Sequence, residues 1–522
     1  MMNVYPLWLL SGISWCTLLC FPQLFAKASD TDGSSVRINE VMASNGITIA
    51  DEDGDYEDWI ELYNAGDASV NLGGWGLSDN YTNPFKWTFP ENTILEKGDF
   101  LLVWASGKNR TSVDPAIDGD GATGSGEFHT NFAIAASGEE VLLTNPEGVR
   151  VDELGPREIP RNMSVGRVPD GTGEWFYFNE STPASPNDST AYTEVLKAPG
   201  LSHTAGFYHE AVSLEATHER TDVALRYTLD GSEPTADSPE FPPQLVLASG
   251  EGDPNVFSAI KTTAGSDFWR EPEFPVFKGN VVRVRAFRNG AMPSRTVSGT
   301  YFIGDSVSAR YSLPVISVVT DGDNFFGDAK GIYVAGDGYD GDWQNSNYSQ
   351  RGREWERPVH LEIFEKDGAL ALAQDAGARI HGGWSRRWAF KSLRFYARSD
   401  YGENTFDYQL FPDQPDDSYK RFIIRNSGND HEFTLFRDAF MQRFVGHMNF
   451  DTQAYRPSII FINGEYWGIK NMRERYDRFY LERTHGVDPN NIDLMTDIRT
   501  VKEGDASHYD ALLEAIETHG VS

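Results

Sequence analysis

The sequence predicts a multidomain protein in which two all-β modules precede an α+β region. Its 522 residues suffice for three or four domains, each with a core of its own. The 49 Gly and 26 Pro favour turn-rich β structure over long helices. Short alternating segments bounded by turn residues continue to about residue 303, and helical periodicity joins them from about residue 309.

The amino terminus has the pattern of a secretory signal. Residues Trp8–Phe25 are mostly apolar, and the small-x-small site Ala26-Lys27-Ala28 follows. We expect residues 1–28 to be cleaved, with an uncleaved anchor as the alternative. Cys16 and Cys20 lie in this segment, so the mature chain would have no cysteine and no disulfide. No later stretch is apolar enough to span a membrane.

The net charge of the chain limits the kinds of molecule that it is expected to bind. The formal net charge is -33 and the isoelectric point is near 4.6. Such a chain is not expected to bind nucleic acid, because phosphate backbones would be repelled. With the signal segment, the acidic composition predicts a secreted or cell-surface protein.

Residues 34–155 form the first β module. Short strands separated by Gly, Asn and Asp turns predict a sandwich or a barrel. Its most informative segments are INEVMASN, DEDGDYEDWIELYN, LGGWGLSD and ASGEEVLL. They resemble the lamin tail domain, which implies an immunoglobulin-like sandwich and leaves the ligand open.

An acidic loop in this module offers a candidate cation site. Asp51, Asp53 and Asp55 stand at alternate positions, and Asp58 follows closely. Their spacing can gather oxygen ligands around Ca²⁺, although the loop is not an EF-hand, because its glycine is misplaced and its twelfth position is Leu62. A solvated acidic turn is the alternative.

Two further segments precede the α+β region. Residues 156–198 are rich in Pro, Asn, Ser and Thr and are predicted to be an extension and linker. Residues 199–303 contain RYTLDGSEPT and two hairpin turns of the Asp-Gly and Asn-Gly type. They resemble the chitobiase/β-hexosaminidase C-terminal-like domain, which implies an immunoglobulin-like spacer or, through aromatics such as Trp269, a carbohydrate-contacting module. Residues Glu240–Phe277 depart from that pattern as an insertion.

Ala378–Ser399 is unusually basic for so acidic a chain and holds no carboxylate. Its six cationic residues are Arg379, Arg386, Arg387, Lys391, Arg394 and Arg398. This concentration indicates a local anion site. The stretch is predicted to form two strands around a Gly382-Gly383 turn, with Lys391 on the apolar face, where a buried ammonium needs an anionic partner. Cations that face water or pair with nearby Asp and Glu are the alternative.

The region 309–522 contains LPVISVVTD, GIYVAG, ARIHGGWSRRWAFKSLRFYAR, LFRDAFMQRF and INGEYWGIKNMRERYD. These segments resemble the spore-coat CotH family of secreted, atypical kinase-like proteins, which implies ATP and Mg²⁺ between two lobes. The glycines and serine of the turn would cover the phosphates, the lysine would bind them with a glutamate as its partner, and two arginines would support them. The residues so assigned are Arg379, Gly382, Gly383, Ser385, Arg386, Lys391 and Glu474.

The chain departs from the family at its carboxyl end. The family's metal-binding carboxylates lie beyond the helix that DALLEAIE opens, and the sequence stops at Ser522 before them. We therefore expect a truncated kinase-like region that does not transfer phosphate, with apolar surface exposed where a second lobe would pack. Another helix, Glu432–Val445, is expected to carry an apolar face.

Two functions of different classes follow from these observations. In the first, a secreted protein combines two β binding or spacer modules with an ATP-binding, kinase-like region whose parent acts on a protein substrate. In the second, the chain is an extracellular adhesion protein that binds matrix or carbohydrate and has no enzymatic activity. No zinc-ligand spacing or nucleophile elbow favours a hydrolase.

Overall fold

The computed structural model describes residues 35–111, 127–265, 269–305, 307–496 and 499–519. The predicted signal segment and its two cysteines lie outside these ranges. Within them the chain is mostly β, with 31 strands and five short α-helices. None of the described helices has the length and apolar character needed to cross a lipid bilayer.

The first module is built from two antiparallel sheets around one apolar core. The larger sheet has the strand order β12-β11-β10-β1-β2-β7 and the smaller one β5-β4-β8-β9. Alternation along the strands places Ile38, Ile60 and Val103 of the larger sheet against Leu77 and Leu143 of the smaller one. The strands are β1 (Val36–Met42), β2 (Asp58–Asn64), β3 (Val70–Asn71), β4 (Gly76–Ser78), β5 (Trp87–Thr88), β6 (Ile94–Leu95), β7 (Phe100–Ala105), β8 (Val141–Thr144), β9 (Arg150–Leu154), β10 (Ser164–Val168), β11 (Glu174–Phe178) and β12 (Ala191–Tyr192).

The segment predicted as an extension and linker, residues 156–198, supplies β10, β11 and β12 of the larger sheet. Two buried carboxylates hold its irregular part against the sheet. The backbone N–H and the hydroxyl of Thr182 each donate to Glu40 at 3.1 Å, and Ala184 N donates to Glu61 at 2.6 Å. Because these contacts satisfy the loop's backbone, the segment is an ordered edge of the first module.

The second module is centred on a four-stranded sheet of order β14-β20-β19-β17. The predicted Asn-Gly hairpin is present and joins β19 to β20, and β14 pairs in parallel with β20. The predicted Asp-Gly hairpin is not formed, because β17 pairs with β19 and only an isolated bridge between Arg226 and Glu240 crosses that turn. The strands are β13 (Gly200–Leu201), β14 (Gly206–Tyr208), β15 (Val212–Leu214), β16 (Ala216–Thr217), β17 (Ala224–Thr228), β18 (Leu245–Leu247), β19 (Asn280–Phe287) and β20 (Val297–Ile303).

An aromatic cluster joins the second module to the third. Phe302 of the second module lies 4.7 Å from Phe461 and 5.6 Å from Phe364 of the third, measured between ring centroids. Gly279 N also donates to Gly464 O at 2.8 Å. A side chain at Gly464 would collide with the carbonyl of Gly279, 2.3 Å from the position of its Cβ. The two modules therefore pack through a shared core.

The third module is a closed seven-stranded barrel of order β21-β22-β23-β24-β27-β29-β28, where β28 and β21 pair in parallel. The predicted α+β region is thus mostly β, because strand pairing closes on itself and the helices are short. Its strands are β21 (Val315–Val319), β22 (Arg357–Phe364), β23 (Leu370–His381), β24 (Ser392–Tyr396), β25 (Phe406–Asp407), β26 (Ser418–Tyr419), β27 (Arg421–Arg425), β28 (Tyr455–Ile462), β29 (Glu465–Arg473), β30 (Leu494–Thr496) and β31 (Thr500–Glu503). Its helices are α1 (Val307–Arg310), α2 (Gly322–Phe326), α3 (Arg437–Val445), α4 (Arg478–His485) and α5 (Ser507–His519).

The predicted helix at Glu432–Val445 begins later, as α3, because Leu435 has a φ of 65° that a right-handed helix excludes. Its expected apolar face is exposed: the side chains of Phe436, Phe440 and Phe444 are 50%, 56% and 65% exposed. Exposed aromatic side chains that lie close together are typical of surfaces that associate with other apolar surfaces.

Local capping determines the ends of α4. The Asp477 carboxylate accepts hydrogen bonds from the backbone N–H groups of Phe479 and Tyr480 at 3.0 and 3.1 Å. The helix ends at Gly486, whose φ of 67° is favourable for glycine. This cap places Arg478, the first residue of α4, beside the carboxyl end of β24.

Candidate functional site

A cavity of about 320 Å³ lies at the edge of the barrel where β23 turns into β24. Its lining includes Gly382, Gly383 and Ser385 of the predicted turn. Arg425 at the end of β27 and Arg473 at the end of β29 complete the wall on the other side. The structure therefore brings three of the seven predicted nucleotide residues together with two arginines that sequence reasoning did not select.

The turn depends on its first glycine. Gly382 has a φ of 113°, a conformation that residues with a Cβ rarely adopt. A Cβ there would also lie 2.4 Å from the Ser385 hydroxyl oxygen. The result is a tight turn whose backbone faces the cavity without intervening side chains.

Arg386 supports this turn from behind, as the predicted supporting role requires, but it does so through the backbone. The buried guanidinium donates to the carbonyl oxygens of Gly382 at 2.6 Å, Ile380 at 2.8 Å, Gln350 at 2.8 Å and Tyr348 at 3.2 Å. Burial lowers the pKa of Arg386 to about 9, which leaves it cationic at neutral pH. It therefore connects the turn to the segment before β22.

Lys391 points into the barrel, as the alternation predicts, and is fully buried. Its Nζ donates to the carbonyl of Trp388 at 2.6 Å and lies 4.2 Å from the ring centre of Tyr348. Burial and the nearby charge of Lys470 hold the pKa of Lys391 well below its ordinary value. The surroundings thus disfavour the charged form, and among the described residues no carboxylate contacts the amine. Lys391 does not line the cavity beside the glycine turn.

The predicted pairing of Lys391 with Glu474 is wrong. Glu474 instead forms an ion pair with Arg483 of α4 and accepts a hydrogen bond from Ala454 N at 2.7 Å. Among the residues that the structure describes, no contact joins the lysine to this glutamate. Glu474 therefore anchors α4 to the barrel.

Arg379 and Arg398 follow the alternative interpretation, in which the strand's cations pair with nearby acids. Arg379 lies 3.0 Å and Arg398 2.8 Å from carboxylate oxygens of the buried Glu356. Both guanidinium groups also lie over the Tyr396 ring, at 4.3 and 4.8 Å from its centre. Arg379 does not reach the cavity.

Arg425 and Arg473 supply the positive charge of the cavity. Both pair with the same carboxylate, Asp438 of α3, so one anion serves two guanidinium groups. Burial, with the charges of Arg394 and Arg425, holds the pKa of His381 well below its ordinary value. A neutral His381 accordingly accepts a hydrogen bond from Arg394 at 2.8 Å.

Strand pairing explains why sequence reasoning missed these two arginines. Ile423 of β27 pairs with Arg473 of β29, and Ile424 pairs with Leu393 of β24. The strand ends RFIIR and NMR therefore meet beside the glycine turn, although they lie far from it in the chain. The sequence signal that could have identified these two arginines was a basic residue at the carboxyl end of a predicted strand.

The acidic loop of the first module gathers three of its four predicted ligands. The carboxylates of Asp51, Asp53 and Asp55 come within 4.8 Å of one another. The Nζ of Lys108 lies among them, at 2.5, 2.9 and 2.9 Å. Asp58 is not part of the group, because its carboxylate caps the backbone N–H of Ser44 at 2.5 Å. An ammonium thus stands where the sequence predicts a calcium ion.

Three protein families match successive parts of the chain. Residues 29–158 match the Lamin Tail Domain, and residues 203–298 match the Chitobiase/beta-hexosaminidase C-terminal domain. Residues 378–517 match the CotH kinase protein family and include every residue of the cavity named above. No curated protein matched the chain.

The chain carries a lamin tail domain, a chitobiase/hexosaminidase C-terminal domain and a CotH kinase domain, in that order. All three resemblances drawn from the sequence are confirmed. Membership of the CotH kinase family implies a nucleotide.

The segment predicted as an insertion, Glu240–Phe277, contacts the CotH kinase domain just after its glycine turn. The hydroxyl of Thr262 donates to Ala389 O at 3.0 Å, and that of Thr263 donates to Arg387 O at 2.5 Å. Both threonines are buried. These two threonines therefore brace the segment between the turn and β24.

We expect Ca²⁺ to bind the lamin tail domain only after the ammonium is removed. Three carboxylates already neutralise Lys108 in the wild-type chain, whereas Lys108→Met leaves them with oxygen ligands that Ca²⁺ prefers. Millimolar Ca²⁺ should raise the melting temperature of Lys108→Met and leave the wild type unchanged. Lys97→Met is the matched control, because Lys97 is an exposed lysine of the same domain that pairs with Asp67. An equal shift in the wild type would contradict this expectation.

Proposed function

We propose that the CotH kinase domain binds ATP, with the phosphates between the Gly382-Gly383 turn and the side chains of Arg425 and Arg473. The observation that carries the proposal is that this turn and both arginines line one cavity inside the family match. A glycine turn lets phosphate oxygens approach backbone N–H groups closely, and the planar guanidinium forks match those oxygens in pairs.

The residues of this cavity do not fit a protein-held Mg²⁺. Its described lining contains hydroxyl, amide, imidazole and guanidinium groups but no carboxylate. Magnesium in phosphoryl-transfer sites is held by carboxylates together with the substrate phosphates. We therefore propose nucleotide binding for these residues and derive no transfer step. Lys391 and Glu474 are not assigned to the phosphates.

We also propose that the protein is exported and works outside the cell. This rests on the apolar segment Trp8–Phe25 with its small-x-small site, the absence of cysteine after it, and the net charge of -33. The lamin tail domain would act as an immunoglobulin-like binding module, as its two facing sheets support. A kinase-like arrangement of the CotH kinase domain remains part of this proposal.

Calorimetric titration with ATP tests the nucleotide site. Arg425→Gln should weaken ATP binding about ten- to a hundredfold, because it removes a charge-assisted hydrogen bond of about 1.5–3 kcal/mol. Asp438 keeps its second partner, Arg473, so folding should be retained. Arg443→Gln is the matched control: this α3 arginine is 77% exposed, pairs with Asp413 and does not line the cavity.

Equal ATP affinities in the wild type and Arg425→Gln would place the nucleotide elsewhere. Absence of binding by the wild type at millimolar ATP would favour the second function, an adhesion protein that binds matrix or carbohydrate. Binding of ATP with a selective loss in Arg425→Gln would support the first.

A further inference from the structure

A second cavity, of about 510 Å³, lies between the lamin tail domain and the CotH kinase domain. Asn45, Gly46 and Tyr56 of the lamin tail domain face residues that follow Tyr396, the last residue of β24. The first cavity lies at the opposite end of this strand, beside Ser392. The two cavities share no lining residue.

The lining of the second cavity is strongly cationic. Asp400 is its one carboxylate, against six positively charged side chains. These are Arg161, Arg353, Arg398, Lys420, Arg421 and Arg478. In a chain with a net charge of -33, so local a reversal of sign creates a field that attracts anions to this cavity.

Two of the six cations are paired with acids that do not line the cavity. Arg398 lies 2.8 Å from Glu356, and Arg421 lies 3.2 Å from Asp477. These carboxylates hold the guanidinium groups in place. Because a guanidinium has five N–H donors, each can still donate toward the cavity.

The other four cations share little negative charge. Asp400 serves both Arg353 and Arg161, and its distance to Arg161 is 3.5 Å. Lys420 donates to a backbone carbonyl at 3.1 Å. Within the described part of the chain, neither Lys420 nor Arg478 has a carboxylate partner. This side of the cavity therefore carries uncompensated positive charge.

Two buried donors also lack acceptors. The Nε atoms of Arg161 and Arg478 are inaccessible to solvent and have no hydrogen-bond partner among the described residues. Buried polar groups in folded proteins are nearly always satisfied, so two unsatisfied donors at the wall of one cavity are unusual. Phe479 stacks under Arg421 and Arg478, at 4.5 and 5.0 Å from its ring centre, and restricts the planes of both groups.

We propose that this cavity binds a small ligand that carries two or more phosphate or sulfate groups. A single oxyanion would engage only part of so large and so evenly charged a lining. Several guanidinium groups held by aromatic and carboxylate neighbours suit oxyanions, which they bind in pairs of hydrogen bonds. The site is separate from the proposed ATP cavity, and it draws on both domains.

Inorganic triphosphate and sucrose octasulfate are the probes, titrated calorimetrically into the full chain at low and moderate salt. The titrations use the Arg425→Gln chain, in which phosphate binding at the first cavity is expected to be weak. Adding Lys420→Gln and Arg478→Gln should weaken binding of the preferred probe at least about tenfold, because two charge-assisted contacts are lost. Both replaced side chains lack ion pairs, so the variant should fold. Lys366→Gln, which changes an exposed lysine in the turn between β22 and β23, is the control.

The two probes separate the possible sources of the ligand. Tighter binding of triphosphate would identify a phosphorylated ligand, and tighter binding of octasulfate a sulfated one. Equal affinities with and without the Lys420 and Arg478 substitutions would overturn the proposal. So would the absence of binding of either probe at millimolar concentration. In the Lys420→Gln/Arg478→Gln chain, ATP binding at the first cavity should remain sensitive to Arg425→Gln, which keeps this test independent of the nucleotide site.

Discussion

Replacing Lys470 by Met should stabilise the CotH kinase domain by a few kcal/mol at pH 6, and the gain should fade as the pH approaches 10. Lys470 is buried inside the barrel, and burial lowers its pKa to about 7, against about 10.4 in an unfolded chain. Each unit of this difference corresponds to about 1.4 kcal/mol. Methionine has a similar length and no charge to desolvate.

The sign of the pH dependence follows from proton binding. Between about pH 7 and pH 10 the unfolded state holds the proton of Lys470 and the folded state does not, so the stability of the wild type rises with pH. Below about pH 7 both states are protonated, and the full cost of burying the charge is present. The substitution leaves no orphan, because the Tyr333 hydroxyl, 2.8 Å from Nζ, can still donate to Lys391 O at 3.3 Å.

Thermal unfolding of the wild type and Lys470→Met from pH 6 to pH 10 measures this effect. Lys330→Met, which changes an exposed lysine of the same module, should follow the wild type. A Lys470→Met profile as steep as that of the wild type would show that another group produces the pH dependence.

Arg386→Ala should destabilise the CotH kinase domain, in contrast to Lys470→Met. We expect the free energy of unfolding to fall by about 3–5 kcal/mol, as is typical when one member of a buried charged network is removed. Four carbonyl oxygens lose their donor, and a cavity opens behind the Gly382 turn. Because the turn then loses its support, ATP binding should fall with stability.

Denaturant unfolding monitored by tryptophan fluorescence measures the loss. Arg386→Lys should lie between the wild type and Arg386→Ala, because an ammonium has three donors where the guanidinium has five. Arg443→Ala is the control. Arg443 is 77% exposed and pairs with the exposed Asp413, so we expect a change below about 1 kcal/mol. A loss below about 1 kcal/mol in Arg386→Ala would refute the bracing role.

Sequence reasoning was most accurate where conformation is local. The Gly382-Gly383 turn and the Asn-Gly hairpin between β19 and β20 follow from backbone angles that glycine tolerates, with φ of 113° at Gly382 and 76° at Gly290. The alternation along β24 correctly predicted that Lys391 points into the barrel. The identities of the three domains were also available, because each family has conspicuous segments of its own.

The sequence by itself thus determined the domain order, the turn of the candidate site and the inward direction of Lys391. The tertiary structure decided which charges meet. Lys391 lies beside Lys470, 79 residues away, and Lys108 enters the acidic loop from 57 residues beyond Asp51. The physical reason is that a turn or an alternating strand depends on adjacent residues, whereas the partner and the protonation of a buried charge depend on strands that pair across the whole chain.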